Sequence, residues 1–133
     1  MANKKTQATI AKKTKIKRKL SIVKIHLKAE FNNNIVTLTD MDGLVLAWSS
    51  SGKQGFKGSK KSTPFAAQKA TEEIIDKIKE TGAGSAHLII QGAGMGRDSF
   101  VRTIQASTLQ IESINDITGF AFGGVRKKQQ RKG

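Results

Sequence analysis

The residue types best suited to chemistry lie in one stretch, residues 51–64 (SGKQGFKGSKKSTP), which contains three glycines, four lysines and four hydroxyl side chains. Glycine lets a backbone approach a phosphate closely, lysine supplies positive charge, and hydroxyl and amide groups supply neutral donors. No acidic residue lies in the stretch to oppose a polyanion. We interpret it as a cradle for an RNA backbone, the alternative being a solvated loop of similar composition. Its candidate RNA-binding residues are Lys53, Lys57, Gly58, Ser59, Lys60 and Lys61.

A second glycine-rich stretch, residues 92–97 (GAGMGR), separates a predicted strand from a predicted helix. It differs from the dinucleotide-binding fingerprint because its sixth position is Arg97 instead of glycine, and because it lies near the C-terminal end of the sequence. Free N–H groups at a helix N-terminus, together with the Arg97 guanidinium, suit a phosphate of a polymer better than a nucleotide. Gly94, Gly96 and Arg97 therefore join the candidate RNA-binding residues. Residues 52–64 likewise lack the Gly-Lys-Ser or Gly-Lys-Thr ending of a P-loop.

The remaining polar residues do not form a pattern typical of catalysis. A metal-dependent nuclease needs carboxylates clustered on its central strands. Here Asp40 and Asp42 lie at a predicted hairpin tip, Asp98 lies at a helix start, and no predicted strand before Glu112 contains an acid. The two histidines are far apart in sequence, and the loop serines have no activating base. We predict no enzyme activity, no metal site and no cofactor.

The charge distribution indicates a polyanionic partner. The chain has 24 Lys and Arg residues against 10 Asp and Glu, a formal net charge of +14. Residues 1–19 contain eight of these basic residues and residues 126–133 contain five, both without an acid, so residues 20–125 are nearly neutral. We expect two basic tails that are disordered without a partner and neutralise phosphates when bound. Arg126, Lys127 and Lys128 are further RNA-binding candidates.

Composition also limits the possible compartments. The absence of cysteine excludes disulfides and thiolate metal sites. No apolar run is long enough to span a membrane, and the N-terminus lacks the apolar core of a secretory signal. Residues 1–19 partly resemble an organellar transit segment, but lysine predominates over the arginine and serine typical of such segments, which favours a retained RNA-binding tail.

Hydrophobic periodicity predicts the elements that position these loops. Alternation through Val23, Ile25, Leu27 and Ala29 predicts a strand, and residues 35–39 and 44–48 predict two more, joined by turns in a three-stranded meander. Thr63 and Pro64 begin a helix that Gly82 ends. Its predicted buried stripe contains Ala67, Ala70, Ile74, Ile75 and Ile78.

The second half of the chain continues the alternation of strand and helix. Residues 87–91 predict a strand buried on both faces, parallel to the preceding strand because a helix connects them. A helix over about residues 100–107, capped by Asp98 or Ser99, and a strand near Ile111 complete the order βββαβαβ. The sequence thus predicts an α/β fold with a mixed five-stranded sheet and two helices. A chain of 133 residues suits one domain, at residues 21–119, with basic tails at 1–20 and 120–133.

Two aromatic residues have alternative interpretations. Trp48 ends a predicted strand, and we expect it in the core more than on a base-stacking surface. Phe56 lies inside the basic loop and could either hold the loop on the core or stack on a base.

Four segments together resemble the universal small-subunit ribosomal protein eleven family. They are FNNNIVT at residues 31–37, Thr39-Asp40, GFKGSKKSTPFAAQ at residues 55–68 and GxGxGR at residues 92–97. The resemblance covers about residues 23–118. It implies a ribonuclease-H-like fold without catalysis, bound to small-subunit ribosomal RNA on the platform, beside neighbouring platform proteins and near the path of exiting messenger RNA. It also implies that Asn32 and Asn33 face RNA, along with residues 53–61, residues 92–97 and the basic C-terminal end.

The sequence departs from bacterial-type members of this family at three places, one of which is Thr108, where a glycine is usual at the end of the helix. Ala93 and Met95 replace prolines, so we expect a looser glycine turn, and Arg126 is one of the few family residues kept at the C-terminal end. These departures suggest a divergent bacterial or organelle-encoded lineage. The implied location is the ribosome, in a bacterial cytoplasm or inside a mitochondrion or plastid, where the chain supports subunit assembly and translation. We expect it neither to bind a membrane nor to form a homo-oligomer.

Two other functions stay open at this point. One is a magnesium-dependent nuclease of the same fold with Asp40 in its site, and the other is a non-specific nucleic-acid chaperone that acts through its tails.

Overall fold

The computed structural model describes residues 19–120 and 122–132, and the prediction of a disordered N-terminal tail falls on residues 1–18, outside this part of the chain. The predicted α/β order of three strands, helix, strand, helix and strand is confirmed. The elements are β1 Ile22–Ala29, β2 Asn34–Thr39, β3 Val45–Ser50, a 3-10 helix Gly58–Ser62, α1 Pro64–Thr81, β4 Ser85–Gln91, α2 Gly96–Gln105 and β5 Gln110–Asp116. No helix among the described residues has the length and apolarity required to cross a membrane.

The five strands form one mixed sheet in the order β3-β2-β1-β4-β5. The first three are an antiparallel meander, in which Leu27 of β1 lies opposite Val36 of β2. Strand β4 pairs in parallel with β1, placing Leu88 beside Ile25, and β5 pairs in parallel with β4. The predicted parallel arrangement after the first helix is confirmed, with β1 at the centre of the sheet.

Both helices pack against one face of the sheet, where the hydrophobic core lies. The inward residues of β1, the predicted stripe of α1 and Phe100 of α2 form one buried cluster. Thr63 accepts a hydrogen bond from the Ala66 N–H through Oγ1, Pro64 takes the first helical position, and Gly82 ends α1 in the left-handed conformation. The predicted limits of α1 are therefore confirmed.

Strand β4 is not buried on both faces, contrary to the prediction. Ala86, Leu88 and Ile90 are buried against the helices, whereas His87 and Ile89 on the other face are only half-buried. Of the described elements, both helices contact the sheet from the same side, so the opposite face keeps its polar residues. His87 Nδ1, for example, lies 2.7 Å from Ser113 Oγ on the neighbouring strand.

The start of α2 also differs from the prediction. The helix begins at Gly96, four residues early, and Met95 at its N-cap provides no side-chain hydrogen bond. Asp98 instead lies in the first turn, and Ser99 Oγ donates to the Pro64 carbonyl oxygen at 2.8 Å. Because Gly96 has no side chain, this helix end packs directly against its neighbours, and packing replaces the predicted cap.

The prediction that Trp48 is a core residue is wrong, because 53% of its surface is exposed. It lies opposite Thr37 on the outward face of the edge strand β3. The Lys53 ammonium lies 5.0 Å from its ring centroid, in a cation–π arrangement.

Candidate RNA interface

The first candidate stretch forms the connection between β3 and α1, residues 51–63, which we call the lysine loop. Its base is well held, since the buried Ser51 donates its N–H to the Asn34 carbonyl at 3.0 Å and accepts the Phe56 N–H at 3.2 Å. Gly55 and Gly58 both adopt positive φ, and the 3-10 helix Gly58–Ser62 then leads into α1. The backbone of the loop therefore has a defined conformation.

Asn34, at the start of β2, holds the lysine loop from inside the protein. Its side chain is fully buried, and its Nδ2 donates to the Lys61 carbonyl oxygen at 2.8 Å and to Ser51 Oγ at 3.4 Å. Asn34 was not among the predicted RNA-binding residues and entered the sequence predictions only within the segment at residues 31–37. The signal was its position, because Asn34 shares the period-two register of the inward-facing Val36 and Leu38.

The second candidate stretch, residues 92–96, forms a turn that packs against the end of β1; we call it the glycine turn. A Cβ atom on Gly92, whose φ is +98°, would lie 2.1 Å from the Ala29 carbonyl oxygen. A Cβ atom on Gly94 would lie 2.7 Å from the Glu30 carbonyl oxygen. The Gly94 N–H donates a hydrogen bond to the Ala29 carbonyl oxygen at 3.0 Å. The glycines therefore permit close backbone approach within the protein itself.

Gly96 connects this turn to the lysine loop through Asn34. A Cβ atom on Gly96 would lie 2.3 Å from Asn34 Oδ1 and 2.8 Å from the Ala67 Cβ. That oxygen is buried and has no hydrogen-bond partner among the described residues. The two stretches that the sequence singled out thus contact opposite ends of one buried amide.

The asparagine turn, residues 30–33, lies beside the glycine turn. Asn33 Oδ1 accepts the Asn34 N–H at 2.9 Å, and the Asn33 carbonyl accepts the Glu30 N–H at 2.9 Å. Asn32 is exposed. Since Gly94 approaches Glu30, the structure brings the predicted RNA-facing asparagines next to the predicted RNA-binding glycines.

The lysines of the loop divide into two groups. In the described part of the chain, no ion pair involves Lys57, Lys60 or Lys61, and the first two are exposed. Lys53 instead contacts Glu73 Oε1 at 3.1 Å and the Trp48 carbonyl at 3.2 Å. Its charge is therefore partly neutralised within the protein, whereas the other three ammonium groups remain available for phosphates.

Glu73 of α1 joins this helix to the lysine loop. It accepts hydrogen bonds from Ser49 Oγ at 2.6 Å and from Lys53, and it also contacts Gln54 Nε2. Partial burial would raise the pKa of Glu73, but the hydrogen bonds from Ser49 and Lys53, with the charges of Lys53 and Lys77, outweigh it and lower the pKa. The carboxylate is thus held in its charged form.

Phe56 lies half-buried in the lysine loop and contacts Phe65 of α1. The ring centroids are 5.8 Å apart at an interplanar angle of 79°, an edge-to-face arrangement. This contact holds the loop on the first turn of α1 and not on the buried core, since Phe65 is itself exposed.

Arg97, the predicted phosphate ligand of the glycine turn, has partners inside the protein. Its Nη1 donates to the Gly92 carbonyl at 3.0 Å and its Nη2 forms an ion pair with Asp116 at the end of β5. The pKa of Asp116 is lowered to about 2, chiefly by hydrogen bonds from the side chain and the backbone N–H of Thr118. The hydrogen bond from Arg97 lowers it further. One side of the guanidinium therefore fixes the glycine turn to β5.

This pair predicts a pH dependence of stability. Folding lowers the pKa of Asp116 from 3.8 to about 2, so the ionised carboxylate stabilises the folded state. This stabilisation is complete above pH 3.8 and is lost as the pH falls through about 2. We expect the difference in urea midpoint between the wild type and Asp116→Asn to be constant above about pH 5 and to narrow between about pH 4 and pH 2. A difference that persists unchanged at pH 2 would contradict this assignment.

The basic C-terminal candidates lie apart from these contacts. Residues 122–132 form no helix or strand, and Arg126, Lys127 and Lys128 are exposed. Within residues 19–120 and 122–132, no hydrogen bond or ion pair joins their side chains to the loops.

The acid proposed for a nuclease site has a local structural contact. Asp40 Oδ1 accepts the N–H groups of Asp42 and Leu44 at 2.9 Å each, which shapes the β2–β3 turn. Across the described residues, no group of three or more His, Asp or Glu side chains is placed to hold a metal ion.

Comparison with known proteins agrees with this architecture. The family model described as ribosomal protein S11 matches residues 23–132. A small ribosomal subunit protein uS11c from Cyanidium caldarium is 47% identical over 124 residues, covering 92% of this chain and 96% of the relative. A small ribosomal subunit protein uS11 from Borreliella burgdorferi (strain ZS7) is 43% identical over 120 residues, covering 90% and 92%.

A third relative extends the range of sources. The uS11c protein of Nephroselmis olivacea is 46% identical over 118 residues, covering 89% of this chain and 91% of the relative. The relatives include bacterial and plastid proteins, which confirms the predicted ribosomal location in a bacterial or organellar interior. Family membership also excludes the nuclease alternative. From about residue 23 to residue 132, this chain belongs to the ribosomal protein S11 family of structural components of the small ribosomal subunit.

Proposed function

We propose that the chain binds small-subunit ribosomal RNA through the lysine loop, the asparagine turn and the glycine turn, with the basic tails adding affinity. The RNA-binding body is residues 21–119. Its place is the platform of the subunit, near the path of exiting messenger RNA and beside neighbouring platform proteins, where it supports assembly. The observation that carries this proposal is the convergence of both loops on Asn34, through the Lys61 carbonyl and Gly96.

The convergence matters because RNA recognition requires a fixed set of donors as well as charge. Lys57, Lys60 and Lys61 project from a loop whose backbone is held by Asn34 and Ser51. A polyanion meets these charges in one arrangement, so less conformational entropy is lost on binding than with a free loop. Backbone and lysine contacts to phosphates fix the position of a folded RNA, and its shape then provides selectivity.

The tails contribute differently. Lysine-rich segments without acids attract any polyanion and release counterions on binding, which gives affinity with little preference for sequence. A chain that worked through its tails alone would be the nucleic-acid chaperone considered above. The proposal therefore requires the folded body to prefer its own RNA.

A salt titration tests this requirement. The full chain and a version lacking residues 1–18 are titrated with a platform fragment of small-subunit ribosomal RNA and with an unrelated folded RNA of equal length. We expect both proteins to prefer the platform fragment, and the shortened protein to show a shallower dependence of log K on log salt. Equal affinity for the two RNAs in both proteins would refute specific ribosomal RNA binding and favour the chaperone.

A further inference from the structure

A groove of about 730 Å³ runs between α1 and α2, and no residue of the lysine loop or the asparagine turn lines it. Ile75 forms part of its floor and is only 8% exposed. Phe65 and Met95 lie at one end with 56% and 74% of their surfaces exposed. The groove thus combines an apolar floor with exposed apolar side chains at its end, which is typical of a surface that receives a side chain from another molecule.

The charges along the groove oppose the net charge of the chain. Its lining includes three carboxylates, Glu72, Asp76 and Asp98, against the two cations Lys79 and Arg102, in a protein of net charge +14. Phosphate groups would be repelled by these carboxylates, so the groove does not suit RNA.

The carboxylates also keep capacity to accept further hydrogen bonds. Asp76 lies 3.7 Å from Lys79, and Glu72 lies 3.3 Å from Lys69, both in exposed pairs that contribute little to stability. Glu72 Oε1 also accepts a hydrogen bond from Gln68 Nε2 at 3.0 Å, and each carboxylate oxygen can accept a further one. The Asp98 side chain has no ion pair within the described residues. Guanidinium or ammonium groups of a partner could therefore pair with all three carboxylates.

We propose that the α1–α2 groove binds a basic segment of a partner protein, with an apolar side chain of that segment between Phe65 and Met95 and its cations on Glu72, Asp76 and Asp98. Apolar contacts supply most of the affinity of such grooves, and charge complementarity selects the partner. This inference does not depend on RNA binding by the lysine loop or the asparagine turn, because neither lines the groove, and it shares only Met95 with the glycine turn.

The test uses a fluorescein-labelled twelve-residue peptide of leucine, lysine and arginine, titrated into the full chain and followed by anisotropy. The groove variant is the triple substitution Glu72→Gln, Asp76→Asn and Asp98→Asn. The matched control, Glu30→Gln with Asp42→Asn and Glu112→Gln, makes the same change in net charge at exposed carboxylates outside the groove. We expect the groove variant to bind the peptide at least tenfold more weakly than the wild type, and the control less than threefold more weakly.

A second variant tests the apolar part of the contact. Met95→Gln changes an exposed side chain outside the core, so circular dichroism should show an unchanged fold, and we expect about a fivefold loss of peptide affinity. The proposal would be overturned if the two triple variants lost peptide affinity equally, or if the wild type did not bind the peptide. Displacement of the peptide by platform RNA at stoichiometric ratio, with weaker RNA binding by the groove variant, would also overturn it and assign the groove to RNA.

Discussion

Replacing Gly92 by alanine should lower the free energy of unfolding by about 2–5 kcal/mol. This loss is the sum of two costs: about 1–2 kcal/mol for placing an L-residue at positive φ, and about 1–3 kcal/mol for overpacking by the added methyl group. The Gly92 φ is +98°, and the added Cβ would lie 2.1 Å from the Ala29 carbonyl oxygen. That oxygen belongs to the end of the central strand β1, so it cannot move away without disturbing the sheet. Urea unfolding of the full chain followed by circular dichroism measures the loss.

Gly43→Ala provides the matched control for this substitution. Gly43 has a φ of +95°, nearly that of Gly92, but no atom lies within 4 Å of the Cβ position. The control should therefore show only the conformational cost of about 1–2 kcal/mol. Equal losses for the two variants would show that the end of β1 adjusts freely, and that close packing of the glycine turn does not contribute to stability.

Replacing Lys57, Lys60 and Lys61 together by glutamine should strongly weaken RNA binding. If each ammonium contacts one phosphate, the slope of log K against log salt falls in magnitude by about two to three, and the affinity at 0.15 M salt falls roughly 50- to 170-fold. The backbone of the loop should remain in place, because Asn34 binds the carbonyl oxygen of Lys61 and not its side chain. Anisotropy of a labelled platform RNA over a range of salt concentrations measures both quantities.

The control makes the same change in charge on α1. Substituting Lys69, Lys77 and Lys79 by glutamine also removes three positive charges, but these lysines lie along the helix and not in the loop. We expect this variant to lose less than about threefold in affinity and to keep its salt slope, since distant charges act only through screened long-range attraction. If both variants lose affinity equally, net charge alone drives binding, and the lysine loop is not an RNA interface.

Local sequence signals were sufficient to predict most of the fold. The period-two alternation of β1, the Thr63-Pro64 start and Gly82 end of α1, and its buried stripe all involve residues within one element. Such signals depend on the conformational preferences of short segments and on which face is apolar. The four segments that resemble the family are likewise local, since each lies within a short part of the chain, and they already indicated the ribosomal family.

The sequence by itself thus determined the order of the elements, the two glycine-rich stretches and the basic composition that points to RNA. Only the tertiary structure decided what each residue contacts. Asn34 reaches Lys61 across 27 positions of the chain, Lys53 meets Glu73 across 20, and Arg97 meets Asp116 across 19. Trp48 is exposed because it lies on the face of the sheet opposite the two helices, and the α1–α2 groove exists only because two distant helices pack side by side. These outcomes depend on contacts between elements, which no periodicity or motif within a single element encodes.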